Sequence, residues 1–296
     1  MRTLIVLCVL AVAASVANAQ WLWQNPLPQG NDLYSVDLTS ATTAYAVGDG
    51  GTILKTTNSG SSWQFLSSPS SARLMSVFFV DANMGYIVGR NGTILKTTNA
   101  GVNWLSLVTG RNWNLNSIFF VNANIGYAVG IPDTILKTTD GGISWSFQLS
   151  GTAYELQSVF FADANTGYAV GGDGIIRKTT NGGTNWNPLS LGTTAYTTAV
   201  HFVDATTGIV TCTEGKLLRT TDGGASWGVQ SYSSNIDFYA VHFIDSNNGY
   251  VVGENSYDDV GIILRTTNAG ADWTQQTSGT SAELYGVGCH DINVGM

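Results

Sequence analysis

Three of the six arginines that follow residue 19, Arg73, Arg90 and Arg111, fall in neighbouring segments, with Trp113 beside the last. Guanidinium groups bind carboxylates through paired N–H donors, so such a cluster suits recognition of an acidic ligand. Tyr154, Tyr196, Tyr232 and Tyr257 add aromatic anchors of the kind favoured at interfaces. Glu155, Asp237 and Glu283 fall in candidate loops. Two-carboxylate glycoside hydrolysis needs acids facing each other across a cleft, and no tyrosine nucleophile with a glutamate partner can be assigned here by spacing. His201 and His242 could begin a metal site, but no third ligand follows at suitable spacing, so neither a metal nor a cofactor is expected.

The elements that must position these residues are set by a repeat. Trp63, Trp104, Trp145, Trp186, Trp227 and Trp273 close near-identical phrases, spaced 41, 41, 41, 41 and 46 residues apart. Each unit holds four strand-like runs separated by turn signals. In the fourth they are 156–162, 167–171, 175–180 and 186–190. Four short strands per unit of about 40 residues is the length of a β-propeller blade. The expected fold is therefore all-β, with six complete blades beginning near Leu33, Leu74, Leu115, Leu156, Thr197 and Phe238 and a partial seventh from Leu284. Residues 21–25, which open Trp21-Leu22-Trp23-Gln24, resemble the fourth strand of a unit and are expected to close the ring. The seventh unit stops near its second strand, so the chain is expected to be a fragment of a longer protein in which a further C-terminal domain could follow.

The repeated phrase is a turn. Asp140 with Trp145, and Asp222 with Trp227, match the sialidase-type Asp-box pattern S/T-x-D-x-G-x-T/S-W. Asn58, Asn99, Asn181 and Asn268 stand at the Asp position in the other four units. A side-chain oxygen there accepts backbone N–H bonds, glycine supplies permissive dihedrals and tryptophan packs into the blade. Asn serves as well as Asp, so the role is structural and not catalytic. One cation recurs per unit (Lys55, Lys96, Lys137, Lys178, Arg219 and Arg265), and an acid recurs after the first strand (Asp81, Asp163, Asp204, Asp245 and Asp291). Pairing of the two within each blade is expected. His201 and His242 occupy the place of Phe78, Phe119 and Phe160, which assigns them to an aromatic packing layer.

Composition excludes several classes. The 296 residues include 35 Gly but only 11% charged residues, and 44% are hydrophobic, which leaves ample material for a core. Twelve Lys+Arg against 20 Asp+Glu do not make a nucleic-acid surface. Residues 1–19 have the positive start, apolar run and Ala-Asn-Ala ending of a secretory signal peptide, and the run is too short for a membrane span. Beyond it lie two cysteines in different units, Cys212 and Cys289, expected to be unpaired thiols.

From Trp21 to Met296 the pattern G-Y-x-V-G followed by G-T-I-L-K-T-T-N-x-G-x-x-W resembles the photosystem II stability/assembly factor family of seven-bladed propellers and its secreted bacterial relatives with BNR-type repeats. The resemblance implies an exported, non-catalytic scaffold, in a periplasm, at a cell surface or outside the cell. The alternatives are a sialidase-like glycosidase and a purely structural surface repeat. Repeated residues serve the repeat, so a partner, protein or carbohydrate, is expected on the face whose loops vary. That face carries Arg73, Arg90, Arg111 and Trp113 on one side. The tyrosines and the acidic insertion around Tyr257 extend round to the other, making it dipolar.

Overall fold

The computed structural model describes Trp21, residues 30–291 and residues 294–296. The expected leader and residues 22–25 of the expected closing strand lie outside them. Alternating β-branched and aromatic runs, cut by Gly-rich turns, fold each unit into a four-stranded antiparallel meander, and six such sheets form in chain order. Blade one comprises Leu33–Leu38, Ala44–Gly48, Ile53–Thr56 and Gln64–Phe65. In blade four the strands run Leu156–Phe161, Gly167–Gly171, Ile175–Thr179 and Asn187–Leu189, so Thr180 and Trp186 belong to turns. The inner strands of blades three and six start slightly early, at Asn114 and Ile236.

Adjacent blades pack face to face around one axis, and a repeated aromatic set fills each interface. Tyr86 of blade two stacks on Phe120 of blade three at 3.8 Å, and Trp145 stands edge-on to Phe120 at 6.1 Å. The same stack recurs as Tyr45–Phe79, Tyr127–Phe161 and Tyr168–Phe202. The second strands of blades two and four are buried along their whole length, as sheets covered on both faces require.

The seventh unit contributes an irregular segment, residues 284–288, and a short hairpin. Leu284, Val287 and Cys289 are buried with Tyr250, Val252 and Ile263 of blade six and with Leu33 and Leu54 of blade one. Cys289–Asp291 pairs with Val294–Gly295, and Gly288 and Met296 exchange backbone bonds of 2.7 and 2.6 Å. Trp21 packs edge-on against Tyr250 at 5.4 Å. Cys212 and Cys289 are both buried, and burial pushes the Cys212 thiol up to about 12.

The repeated cations do not pair with the repeated acids. Each lysine reaches across to the next blade's Asp-box turn: Lys55 Nζ donates to Ala100 O at 2.9 Å, Lys96 to Gly141 O at 2.7 Å, Lys137 to Gly182 O and Lys178 to Gly223 O at 2.6 Å. Tyr45, Tyr86, Tyr127 and Tyr168 donate their hydroxyls to the same four carbonyls. Arg219 Nε does likewise to Ala269 O at 2.8 Å. The acids are used locally instead: Asp81 Oδ1 accepts from Asn83 N and Met84 N, and Asp163, Asp204 and Asp245 repeat the pattern. The cation is thus a strap between blades. A carbonyl beside a ring face offers it a hydrogen bond and cation–π contact together.

Candidate functional site

Two levels of the inner strands meet around the axis. At the lower level Phe78, Phe119, Phe160, His201 and His242 form a chain of rings with successive centroids 5.1, 5.1, 4.7 and 5.6 Å apart. The two histidines are members of this belt, and no group of three or more metal-ligating side chains exists among the described residues. Burial, and then the neighbouring His242, hold His201 down to about 3, while burial lowers His242. Blade one places Asp37 at the equivalent position, where it accepts Phe79 N at 2.6 Å, and burial pushes its carboxyl up to about 7.

The upper level opens on the variable face. Pairing of the first and second strands skips one residue near the start of every complete inner strand, leaving Tyr34, Met75, Asn116, Gln157, Thr198 and Tyr239 in bulges. A bulge re-aims its side chain, here towards the axis and the loops. Tyr285 of the seventh unit joins them, with its ring 5.4 Å from that of Tyr34 and 5.1 Å from that of Tyr239.

Around this aromatic trio carboxylates accept the phenol protons. Tyr34 donates to Asp49 Oδ2 at 3.2 Å, Tyr239 to Glu254 Oε1 at 2.5 Å, and Tyr285 to Glu283. Further round the rim, Tyr196 donates to Glu155 and receives a bond from Gln157 Nε2. Burial first, and the acid partner next, push Tyr34 up to about 12 and raise Tyr196 and Tyr239 strongly, so all three remain phenols at physiological pH. The more exposed Tyr154 is raised by its bond to Asp173.

The three arginines are brought together by backbone contacts. Arg90 N donates to Arg73 O at 2.9 Å and Gly92 N to Trp113 O at 2.7 Å, so the strand-two-to-three turn of blade two lies between the loops carrying Arg73 and Arg111. A Cβ at Gly89 would stand 2.2 Å from Arg73 O, which is why this corner is glycine. Arg73 is already committed: its Nε lies 2.5 Å from Asp49 Oδ1, with the guanidinium 5.0 Å from the Tyr34 ring centroid. Arg111 stacks on Trp113 at 4.8 Å, and Trp113 in turn meets Phe147 at 5.3 Å. Arg90 has no acidic hydrogen-bond partner among the described residues, and its charge works against the rise at Tyr196.

Not every expected residue joins this rim. Tyr232 stands edge-on to buried Phe238 and packs, half-buried, against the core of blades five and six. Tyr257 is 81% exposed in the blade-six insertion, apart from the trio. The face is also less divided than expected: Asp49 sits within the arginine group, and Glu155 is close enough to Arg90 for both to act on Tyr196. Tyr34, Tyr239, Tyr285 and Asp49 are not singled out by sequence. A signal existed, because the second inner-strand position changes residue type from unit to unit while its neighbours repeat.

The Asp-box residues lie on the opposite face, fully used in turn geometry. Thr138 Oγ1 accepts from Asp140 N and Gly142 N and donates to Asp140 Oδ1, which accepts Ser144 N at 2.9 Å. The boxes of Asn58, Asn99, Asn181, Asp222 and Asn268 repeat this. The residue after Asp or Asn and the following glycine both have positive φ, for example 68° and 84° at Gly141 and Gly142. The Ser144 and Ser226 hydroxyls, their backbone N–H groups and the box threonines hold Asp140 and Asp222 down to about 2. Trp63, Trp104, Trp145, Trp227 and Trp273 bury their indole nitrogens without an acceptor, whereas Trp186 donates to Gln148.

A family model described as photosynthesis system II assembly factor YCF48 matches three stretches in succession, residues 13–112, 103–196 and 184–286. Among solved structures, YCF48 bound to D1 peptide superposes with a TM-score of 0.71 at 20% identity, covering 90% of this chain and 86% of that one. YCF48 from Cyanidioschyzon merolae gives 0.70 at 20% identity, with 90% and 91% covered. A GH74 enzyme of Niastella koreensis gives 0.73 at 15% identity, and the match covers 89% of this chain but 50% of the enzyme. The comparison with curated proteins gives no match.

Proposed function

From the premise that this chain belongs to the photosynthesis system II assembly factor YCF48 family, we propose that it is an exported, non-catalytic scaffold whose variable face holds a peptide segment of a protein partner. The leader-like residues 1–19 support export. One observation carries the binding reading: the Asp-boxes and the straps of blades one to five are consumed by the fold, whereas unit-specific arginines and tyrosines collect on one rim. A related structure holds a D1 peptide, and a segment of that class is the partner we assign. Arg90 and Arg111 would meet its carboxylates while Trp113 and the tyrosine trio cover its apolar groups.

The GH74 neighbour keeps glycoside hydrolysis as the competing activity. Against it, the rim carboxylates are engaged: Asp49 by Arg73, Glu155 by Tyr196, Glu254 by Tyr239, and Asp237 by Glu214 N at 2.9 Å. Titration of the protein with a D1 peptide tests the proposal. Replacing Arg73, Arg90 and Arg111 together by alanine is expected to weaken binding at least tenfold, about 1.4 kcal/mol, with little change in melting. Unchanged affinity in that variant would overturn the site. Hydrolysis of aryl glycosides that disappears in Glu155→Gln would overturn the non-catalytic reading.

A further inference from the structure

The blades of a propeller splay apart towards their outer strands, and the wedge between blades two and three differs in its lining from the others. Directly opposite residues of an antiparallel pair share a face, as do residues two apart on one strand. On blade two Leu107 lies opposite Ile94, and on blade three Phe147 lies opposite Leu136. Ile94 and Leu136 belong to one buried cluster between these blades, and Leu107 packs against it. Leu105 and Leu107 therefore form one wall of the wedge, and Phe147 and Leu149 form the other. Counted from the Asp-box tryptophans, the corresponding positions between blades three and four are Ser146, Gln148, Pro188 and Ser190. No other pair of successive complete blades has large apolar residues at all four.

The lining is open to solvent: Leu149 is 81% exposed, Leu105 66% and Phe147 44%. A repeat that folds with serine or glutamine at these positions elsewhere has no folding need for leucine here, and contiguous exposed apolar side chains mark a surface that a partner covers. At the variable-face end, Trp113 meets Phe147 at 5.3 Å and carries the Arg111 guanidinium at 4.8 Å. The wedge thus runs into the arginine group, and the occupant it suits is apolar along its length and acidic at that end. Ser146–Leu149 is four residues long. Such a strand measures about 13 Å, the span of three alternate side chains of an extended segment.

We propose that this wedge is the docking groove for the apolar part of the partner segment whose carboxylates meet the rim arginines. The inference rests on the peptide-binding reading of the variable face and specifies its chemistry: an extended protein segment with an acidic end followed by apolar side chains at alternate positions. The acid pairs with Arg111 beside Trp113, and the apolar side chains cover Leu105, Leu107, Phe147 and Leu149.

Calorimetric titration of the full chain with the end-blocked peptide Asp-Asp-Ser-Leu-Ser-Leu-Ser-Leu, and with the same residues in reversed order, tests this. The expected result is saturable binding of one of the two, and binding weaker by about tenfold or more when serine replaces each leucine of the peptide. Leu105→Ser combined with Leu149→Ser installs the residue type that the repeat carries at these places in Ser146 and Ser190. Melting should therefore barely change, while affinity for the leucine peptide falls by about tenfold or more. Equal affinity in this double variant, with binding still weakened by the triple arginine replacement, would overturn the wedge and leave the rim reading in place. Weakening in the double variant with none in the arginine variant would do the reverse. Absence of saturable binding by either peptide would overturn the proposal. So would attachment to phosphatidylcholine vesicles, or self-association, that the double variant abolishes, since a lipid surface or a second copy would then be the occupant.

Discussion

Asp37 and His201 occupy one belt and respond to pH in opposite directions. Asp37 sits where other blades have an aromatic ring, and its burial favours the neutral acid, with a folded value of about 7 against an ordinary 3.8. Its contribution is therefore full below the ordinary carboxylate range and is lost as pH rises towards 7. His201 is held neutral, at about 3 against 6.5. Its contribution is full above 6.5 and is lost as pH falls towards 3. Asp37→Asn keeps an oxygen to accept Phe79 N and is expected to flatten the melting curve between pH 4 and 7, with a higher melting temperature than the parent at pH 8. His201→Phe, which restores the residue type of Phe160, is expected to raise melting at pH 4 and change it little at pH 8. Thermal melts across pH 4–8 check both. The histidine assignment was open to sequence reasoning because the repeat aligns His201 with phenylalanines. The titration of Asp37 was not, since it depends on which strands surround the carboxyl.

At the scale of the element, the Asp-box turn and the strap form one device. The turn places two residues at positive φ, which turns the carbonyl after Asp140, for example, outward to the preceding blade. Tyr86 and Lys96, opposite each other on second and third strands, converge on it. The same holds for Tyr127 and Lys137 at Gly182 O. Removing one donor leaves the carbonyl satisfied by the other; removing both leaves it buried and unpaired. Tyr127→Phe and Lys137→Met are each expected to cost about 1 kcal/mol, and the double variant about 1 kcal/mol more than their sum. Denaturant unfolding of the four proteins measures the coupling, and strict additivity would show that the donors act independently. The periodic cation was visible in sequence, but its partner was not. Sequence spacing brings Lys96 towards Asp81 in the same unit, whereas the acceptor, Gly141 O, lies 45 residues away across a blade interface.

In the whole molecule the segment that opens the seventh unit joins blade six to blade one. Leu284 and Val287 are buried with Tyr250, Val252 and Ile263 of blade six and with Leu33 and Leu54 of blade one, so this segment links the two cores. Val287 is 7% exposed. Val287→Asp would place a carboxylate among the apolar side chains of this cluster and is expected to cost at least about 3 kcal/mol, read as a large fall in the denaturation midpoint. A stability within about 0.5 kcal/mol of the parent would mean that the ring holds without this segment. Sequence by itself determined the blade count, the strand order and the structural standing of the Asp-box, because a repeat writes the same local solution several times and each copy checks the others. It also located the arginine group, since residues that depart from a repeat are conspicuous. Only tertiary structure decided the strap partners and the tyrosine–carboxylate rim. All of these arise between units, where residues distant in sequence meet through the curvature of the ring, and no periodicity within a unit records which neighbour a side chain will face.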